Sequence, residues 1–215
     1  MKTGILFDLD GTLLYTLEDL LDATNYALEA CGYPRRSLGE LRKFVGNGAE
    51  NQIRMSLPAG SSPEEVQRVL AVYKPYYTSH CQVKTRPYAG IPEALEVLGQ
   101  KYPIAIVSNK PDGAVKALCA QMFPGLYALG ETADCPRKPA PDMVFKACRA
   151  IGTDTCIYVG DSEVDVRTAR NAGVRCLSVL WGFRDRPEIE EEGGSCFCEN
   201  PRDLPKKIEE MIHGQ

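Results

Sequence analysis

Phe7-Asp8-Leu9-Asp10-Gly11-Thr12, directly after the apolar run Gly4-Ile5-Leu6-Phe7, is the stretch on which the reading of this 215-residue chain turns. The apolar run reads as a short buried strand, and the Gly-Thr pair closes it with a turn. Side chains alternate along a strand, so Asp8 and Asp10 face one pocket if the extended geometry continues past the strand end. Two carboxylates that close repel unless a cation or a shared proton relieves them. A hard divalent ion does so, and Mg²⁺ commonly works with one or two carboxylates plus a substrate phosphate. An isolated pair of this kind equally suits a solvated acidic turn, so the remaining chain has to decide.

The length suffices to bury a real core in one large or two small domains. Composition is that of an ordinary globular protein, with 44% hydrophobic and 25% charged residues. A net charge of −4 argues against a nucleic-acid partner, whose binding domains carry a basic excess. No apolar run is long enough to span a bilayer, and Met1-Lys2-Thr3 begins no signal-peptide pattern, so the expectation is a cytoplasmic protein without a membrane partner. The nine cysteines are scattered and odd in number, which fits reduced thiols serving as small apolar residues. Cys196-Phe197-Cys198 is too close-spaced for a zinc knuckle and reads as part of a short strand.

Outward from the first strand, short β-branched runs alternate with helical patterns. Strands are expected at Gly4–Phe7, Pro103–Val107, Cys156–Val159 and Val174–Leu180, with weaker ones at Tyr127–Leu129 and Cys196–Cys198. Prolines 92, 111, 141 and 201 open helices, and Glu163–Ala172 is a helix closed by Gly173. This alternation predicts an α/β fold, a doubly wound and mostly parallel sheet. Thr16–Cys81 breaks the rhythm with four helical patterns, Leu17–Ala30, Leu38–Val45, Ala49–Leu57 and Pro63–His80. The expected organisation is therefore an α/β core from residues 1–15 and 83–215, with a small all-helical cap domain, 16–82, inserted after the first strand.

Ligands of doubly wound sheets bind beyond the carboxyl ends of the strands. Those ends carry Asp8-Leu9-Asp10-Gly11-Thr12, Ser108-Asn109-Lys110 and Gly160-Asp161-Ser162-Glu163-Val164-Asp165, while Arg137-Lys138-Pro139 precedes a helix. Each alone suits a cap or turn. Together on one rim they supply a nucleophile, metal ligands and phosphate donors. Lys110 and Arg137 read as solvated surface charges beside Lys138. Gly46-Asn47-Gly48 lacks the third glycine of a dinucleotide fingerprint and follows no strand, so it reads as a tight turn.

The order D-x-D-G-T, S-N, K-P and G-D-S-x-x-D resembles the haloacid dehalogenase superfamily over essentially the whole chain, the helical insert standing where that superfamily carries its first type of cap. Arg42-Lys43-Phe44-Val45-Gly46-Asn47-Gly48 and Trp181-Gly182-Phe183-Arg184 resemble stretches of its phosphoglycolate phosphatase branch. The resemblance implies a Rossmann-like core and an Mg²⁺-dependent phosphomonoester hydrolase with a small phosphorylated metabolite as partner, 2-phosphoglycolate first. It makes Asp8 the nucleophile and Asp10 the acid and then base, with Asp8, Asp161 and the backbone carbonyl of Asp10 as metal ligands. Asp165 supports the metal site and Lys138 neutralises it. Ser108 and Asn109 donate to the phosphoryl group; Thr12, Arg42 and Asn47 complete the substrate contacts.

Departures from the pattern narrow the branch. Tyr15 replaces a frequent acidic residue at the hinge, Leu20 stands where the mutases carry histidine, and Asp10 speaks against the dehalogenases and the phosphonate-cleaving enzymes. A pyrophosphatase, a nucleotidase or a sugar-phosphate phosphatase would use the same core. From another class, a non-catalytic phosphate-binding or sensing protein is the alternative, one that usually loses Asp8 or Asp10.

Overall fold

The computed structural model describes residues 2–214. The chain runs β1 (Thr3–Phe7), β2 (Leu14–Tyr15), α1 (Leu17–Ala30), α2 (Leu38–Phe44), α3 (Ala49–Ser56), α4 (Pro63–His80) and β3 (Arg86–Pro87). It continues through α5 (Ile91–Gly99), β4 (Ile104–Pro111), α6 (Asp112–Met122), β5 (Tyr127–Glu131), α7 (Asp142–Ile151) and β6 (Thr155–Gly160). The last part holds α8 (Glu163–Ala172), β7 (Arg175–Val179), α9 (Arg186–Glu191), β8 (Phe197–Cys198), a 3₁₀ turn at Pro201–Asp203 and α10 (Leu204–His213). Two compact units result, Met1–Leu14 with Pro87–Gln215, and Tyr15–Arg86.

The first unit is built on a six-stranded sheet ordered β5-β4-β1-β6-β7-β8, with parallel pairing throughout. This is the α/β, doubly wound fold that the alternation of strand and helix patterns predicts. β1 lies at its centre, Leu6 pairing with Ala105 on one side and Tyr158 on the other. A strand buried on both faces needs a continuous apolar run, and Ile5, Leu6 and Phe7 are all fully buried. Leu6, Ala105, Val107 and Tyr158 line one face and pack with Met143, Val144 and Ala147 of α7.

β4 is longer than expected. Ser108, Asn109 and Lys110 belong to the strand and are buried, although as polar residues after Val107 they read as a loop. α9 is an element the sequence reading passed over, yet Asp185 and Glu188 form a reciprocal capping box around Pro187 at its start. Cys198 is in β8 and Cys196 just before it; all nine cysteines are free.

The second unit is all helical apart from its strand-like ends. α1 packs on α4, and α2 and α3 close the group through Leu28, Leu41, Ile53, Val69 and Leu70. Ser37 with Glu40 and Ser62 with Glu65 form capping boxes at the starts of α2 and α4. Buried Asp19 in α1 accepts the backbone N–H groups of Lys84 at 3.0 Å and Thr85 at 2.9 Å, tying the segment after α4 to the start of the unit. No helix among the described residues is long and apolar enough to cross a membrane.

Candidate active site

Asp8 is the first residue past β1, and its backbone N–H still donates to the Val159 carbonyl at 2.8 Å. The ladder therefore delivers its carboxylate to the carboxyl end of the central strand. Beyond it the chain turns sharply. Leu13 and Leu14 N–H groups both return to the Leu9 carbonyl, and Gly11 takes φ +83°. The strand ladder ends at Phe7 and Leu9 sits in a bend, so the turn rather than strand alternation places the Asp10 carboxylate.

Each carboxylate instead has its own lysine. Lys138 Nζ lies 2.7 Å from Asp8 Oδ1 and 2.8 Å from Asp165 Oδ1. Lys110 Nζ lies 3.1 Å from Asp10 Oδ1, as an ion pair rather than an aligned hydrogen bond. Lys110 is only 6% exposed, so its reading as a solvated surface charge is overturned. The reason is non-local: the carboxylate that accompanies it underground comes from a different strand end.

Asp8, Asp161 and Asp165 form a buried group whose ligand oxygens lie within 4.8 Å of one another. Asp161 is brought in by the end of β6, and Asp165 by the first turn of α8. Asp165 also accepts from the Ser162 backbone N–H at 3.1 Å, the Ser162 hydroxyl at 2.7 Å and the Tyr158 hydroxyl at 3.2 Å. Both its oxygens are thus engaged, one by the helix start and one by Lys138 and Tyr158. Helix capping and site support, posed as alternatives from the sequence, coexist in this side chain.

Three carboxylates share this burial with one ammonium group. Desolvation would lower the Lys138 pKa, but Asp165 and Asp8 outweigh it and hold the group protonated well above the usual lysine value. Burial raises the Asp8 pKa well above the ordinary carboxylate range; Lys138 opposes this, while Asp165 and Asp161 reinforce it. Burial, then the charge of Asp165, pushes Asp161 up to about 7 against the pull of the Phe183 N–H, Arg184 and Thr12. A site that strains to keep its carboxylates ionised is short of positive charge. An all-oxygen donor set with that deficit suits a hard divalent cation.

Ser108, 1% exposed, accepts the Lys110 N–H at its hydroxyl oxygen, at 3.3 Å. Asn109 grips the Lys138 backbone in both directions: its carboxamide oxygen accepts the Lys138 N–H at 2.7 Å, and its NH₂ donates to the Lys138 carbonyl at 3.0 Å. The S-N and K-P motifs are therefore mechanically one, β4 holding the lysine in place. Thr12 donates its hydroxyl to Asp161 Oδ1 at 3.2 Å. The Asp10 side chain is not part of the Asp8, Asp161 and Asp165 carboxylate group. Arg42, in the last turn of α2, and Asn47, between the left-handed glycines 46 and 48, belong to the helical unit and are partly exposed.

Comparison with known proteins gives the chain a family. Residues 5–179 match the family described as haloacid dehalogenase-like hydrolase. Phosphoglycolate phosphatase 1 of Pseudomonas aeruginosa is 32% identical over 93% of this chain and 77% of its own length. Phosphoglycolate phosphatase of Rhodobacter capsulatus is 34% identical over 87% of this chain and 88% of its own. N-acetylmuramic acid 6-phosphate phosphatase of P. aeruginosa is 29% identical over 94% and 92%. Among solved structures, one from Lactobacillus delbrueckii subsp. bulgaricus, named for phosphoglycolate phosphatase, superimposes with a TM-score of 0.89 at 37% identity, covering all of both chains.

Proposed function

The chain belongs to the haloacid dehalogenase-like hydrolases and is a phosphatase of that superfamily, and from that premise we propose an Mg²⁺-dependent phosphomonoesterase working through an aspartyl-phosphate on Asp8. The observation that carries the reading is the buried Lys138 ammonium, bridging Asp8 and Asp165 beside Asp161. That constellation binds a phosphate dianion poorly unless further positive charge arrives, and phosphoryl transfer depends mainly on such charge balance and positioning.

In the proposed cycle an Asp8 carboxylate oxygen attacks phosphorus and the ester oxygen leaves with its electron pair. Asp10 gives that oxygen a proton, so the alcohol departs and Asp8 carries the phosphoryl group. Asp10, now a carboxylate, takes a proton from water as the water attacks phosphorus; phosphate is released and Asp8 is restored. Lys138 holds Asp8 in place and offsets charge on the transferring group. Lys110 fixes Asp10 in its turn, and the Ser108 hydroxyl oxygen accepts the Lys110 backbone N–H. Asp8, Asp161 and the Asp10 backbone carbonyl would hold Mg²⁺, which when bound would supply the positive charge that lets phosphate and carboxylate meet.

The names of the relatives make 2-phosphoglycolate the first substrate to try, with N-acetylmuramic acid 6-phosphate as the second reading. Both carry a phosphate ester and a carboxylate. A panel adding pyrophosphate, nucleoside monophosphates and sugar phosphates, assayed with Mg²⁺ and with chelator, tests the proposal. Expected is Mg²⁺-dependent phosphate release with the highest kcat/KM on 2-phosphoglycolate. Failure on every member, or turnover undiminished by chelator, overturns it.

A further inference from the structure

Trp181-Gly182-Phe183-Arg184 follows β7, and the reaction just described gives it no task. Its contacts converge on Asp161. The Phe183 backbone N–H donates to Asp161 Oδ2 at 2.7 Å, while Thr12 holds Oδ1 at 3.2 Å. The Trp181 indole N–H donates to the Thr12 carbonyl at 3.0 Å, so the loop also steadies the residue that grips the other oxygen. A Cβ on Gly182 would stand 2.3 Å from Asp161 Cβ and 2.4 Å from Oδ2. A Cβ on Gly11 would also stand 2.3 Å from Oδ2. Backbone from two segments therefore crowds Asp161, with room for a side chain at neither glycine. The loop's far end is pinned by buried Arg184, whose Nε lies 2.9 Å from Glu163 Oε2.

Nothing about the fold demands this. A loop leaving an edge-side strand could pass anywhere over the rim, and a partly exposed indole N–H could be left to solvent. The convergence makes sense if one carboxylate rotamer must be kept. A carboxylate ligand with one oxygen on a backbone N–H and the other on a hydroxyl is preorganised, and outer partners of this sort typically govern metal affinity.

We infer that the Trp181–Arg184 loop is the positioning element for Asp161 and sets the enzyme's affinity for its divalent cation. Trp181, Gly182 and Arg184 are positioning residues rather than catalytic ones. The inference rests on the proposed role of Asp161 as a metal ligand, and the experiment separates the two.

Mg²⁺ binding to the whole protein is measured without substrate, by titration calorimetry and by the Mg²⁺ concentration that half-maximally raises Tm. The proteins compared are wild type, Gly182→Ala, Trp181→Phe and Asp161→Asn. The added Cβ forces the loop and the Phe183 N–H away from Asp161, and weakening a partner of this kind predicts roughly 10–100-fold weaker Mg²⁺ binding in Gly182→Ala. A smaller loss is expected in Trp181→Phe, which removes only the indole N–H. At saturating Mg²⁺ the substrate KM stays at the wild-type value in both. Wild-type Mg²⁺ affinity in a folded Gly182→Ala protein overturns the inference. If that variant does not fold, unchanged affinity in Trp181→Phe overturns it instead. Should Asp161→Asn bind Mg²⁺ as tightly as wild type, the ligand assignment itself falls, and the loop inference with it.

Discussion

Replacing Lys138 with methionine tests the electrostatics of the site at the point where they are most concentrated. The ammonium is 3% exposed and touches two carboxylates at 2.7 and 2.8 Å, so the variant strands Asp8 and Asp165 without their cation. Removing one partner of a buried pair costs about 3–5 kcal/mol, because the remaining charge stays desolvated. A domain of this size loses roughly 2–4 °C in Tm per kcal/mol, so the metal-free variant should melt about 6–20 °C lower at neutral pH. The deficit has a sign in pH. Burial already raises the Asp8 pKa, and removing Lys138 removes the charge that opposes the rise. The Asp8 part of the penalty is therefore full at and above neutrality, and it shrinks as the pH falls and that carboxylate takes up a proton.

Adding Asp165→Asn to Lys138→Met removes one stranded charge and should recover part of the loss. Turnover should fall by about 10²–10³, the scale for one transition-state charge donor. Thermal melts by circular dichroism across the acid-to-neutral range, with chelator present, read the prediction. A variant melting within about 2 °C of wild type at neutral pH, on a protein where each kcal/mol is worth that much, would refute the reasoning.

Two further expectations concern the metal and the helical unit. Because Asp161 is pushed up to about 7 and Asp8 is also raised, the native metal-free protein holds protons there that the unfolded chain has already lost. Its stability should thus fall as pH rises through the window from the unfolded carboxylate value to about 7. Stabilisation by Mg²⁺ should grow over the same window as protons stop competing; a Mg²⁺-induced shift in Tm flat across that range would contradict it. In the helical unit, Asp19→Ala leaves the Lys84 and Thr85 N–H groups without their acceptor. The expected cost is about 1–3 kcal/mol, with earlier proteolytic cleavage near residues 83–86, and a variant as stable as wild type would count against that contact.

Much of the fold was legible because its signals are local. The apolar run Ile5–Phe7, the prolines before helices and the glycines after them require no partner to be read. α1, α4 and α8 begin and end where those signals place them. The site was legible in composition but not in pairing. That Asp8 belongs with Lys138 and Asp10 with Lys110 depends on which strands become neighbours and on the turn at Gly11. The same reason hid the burial of Lys110, since a lysine after a strand is ordinarily solvated. Asn109 also grips the Lys138 backbone, a contact across 29 positions that spacing cannot announce. The missed helix α9 is a different case: Asp185, Pro187 and Glu188 were a readable start signal for an element of only six residues.

The central claim is that Asp8 carries the phosphoryl group. The most direct measurement is acid quenching during turnover of 2-phosphoglycolate with Mg²⁺, followed by mass spectrometry of the peptide containing Asp8. Wild type should yield that peptide with one added phosphoryl group on Asp8, and Asp8→Asn should yield neither the adduct nor turnover. Full turnover by Asp8→Asn, or a phosphoryl adduct on another residue, would contradict the account.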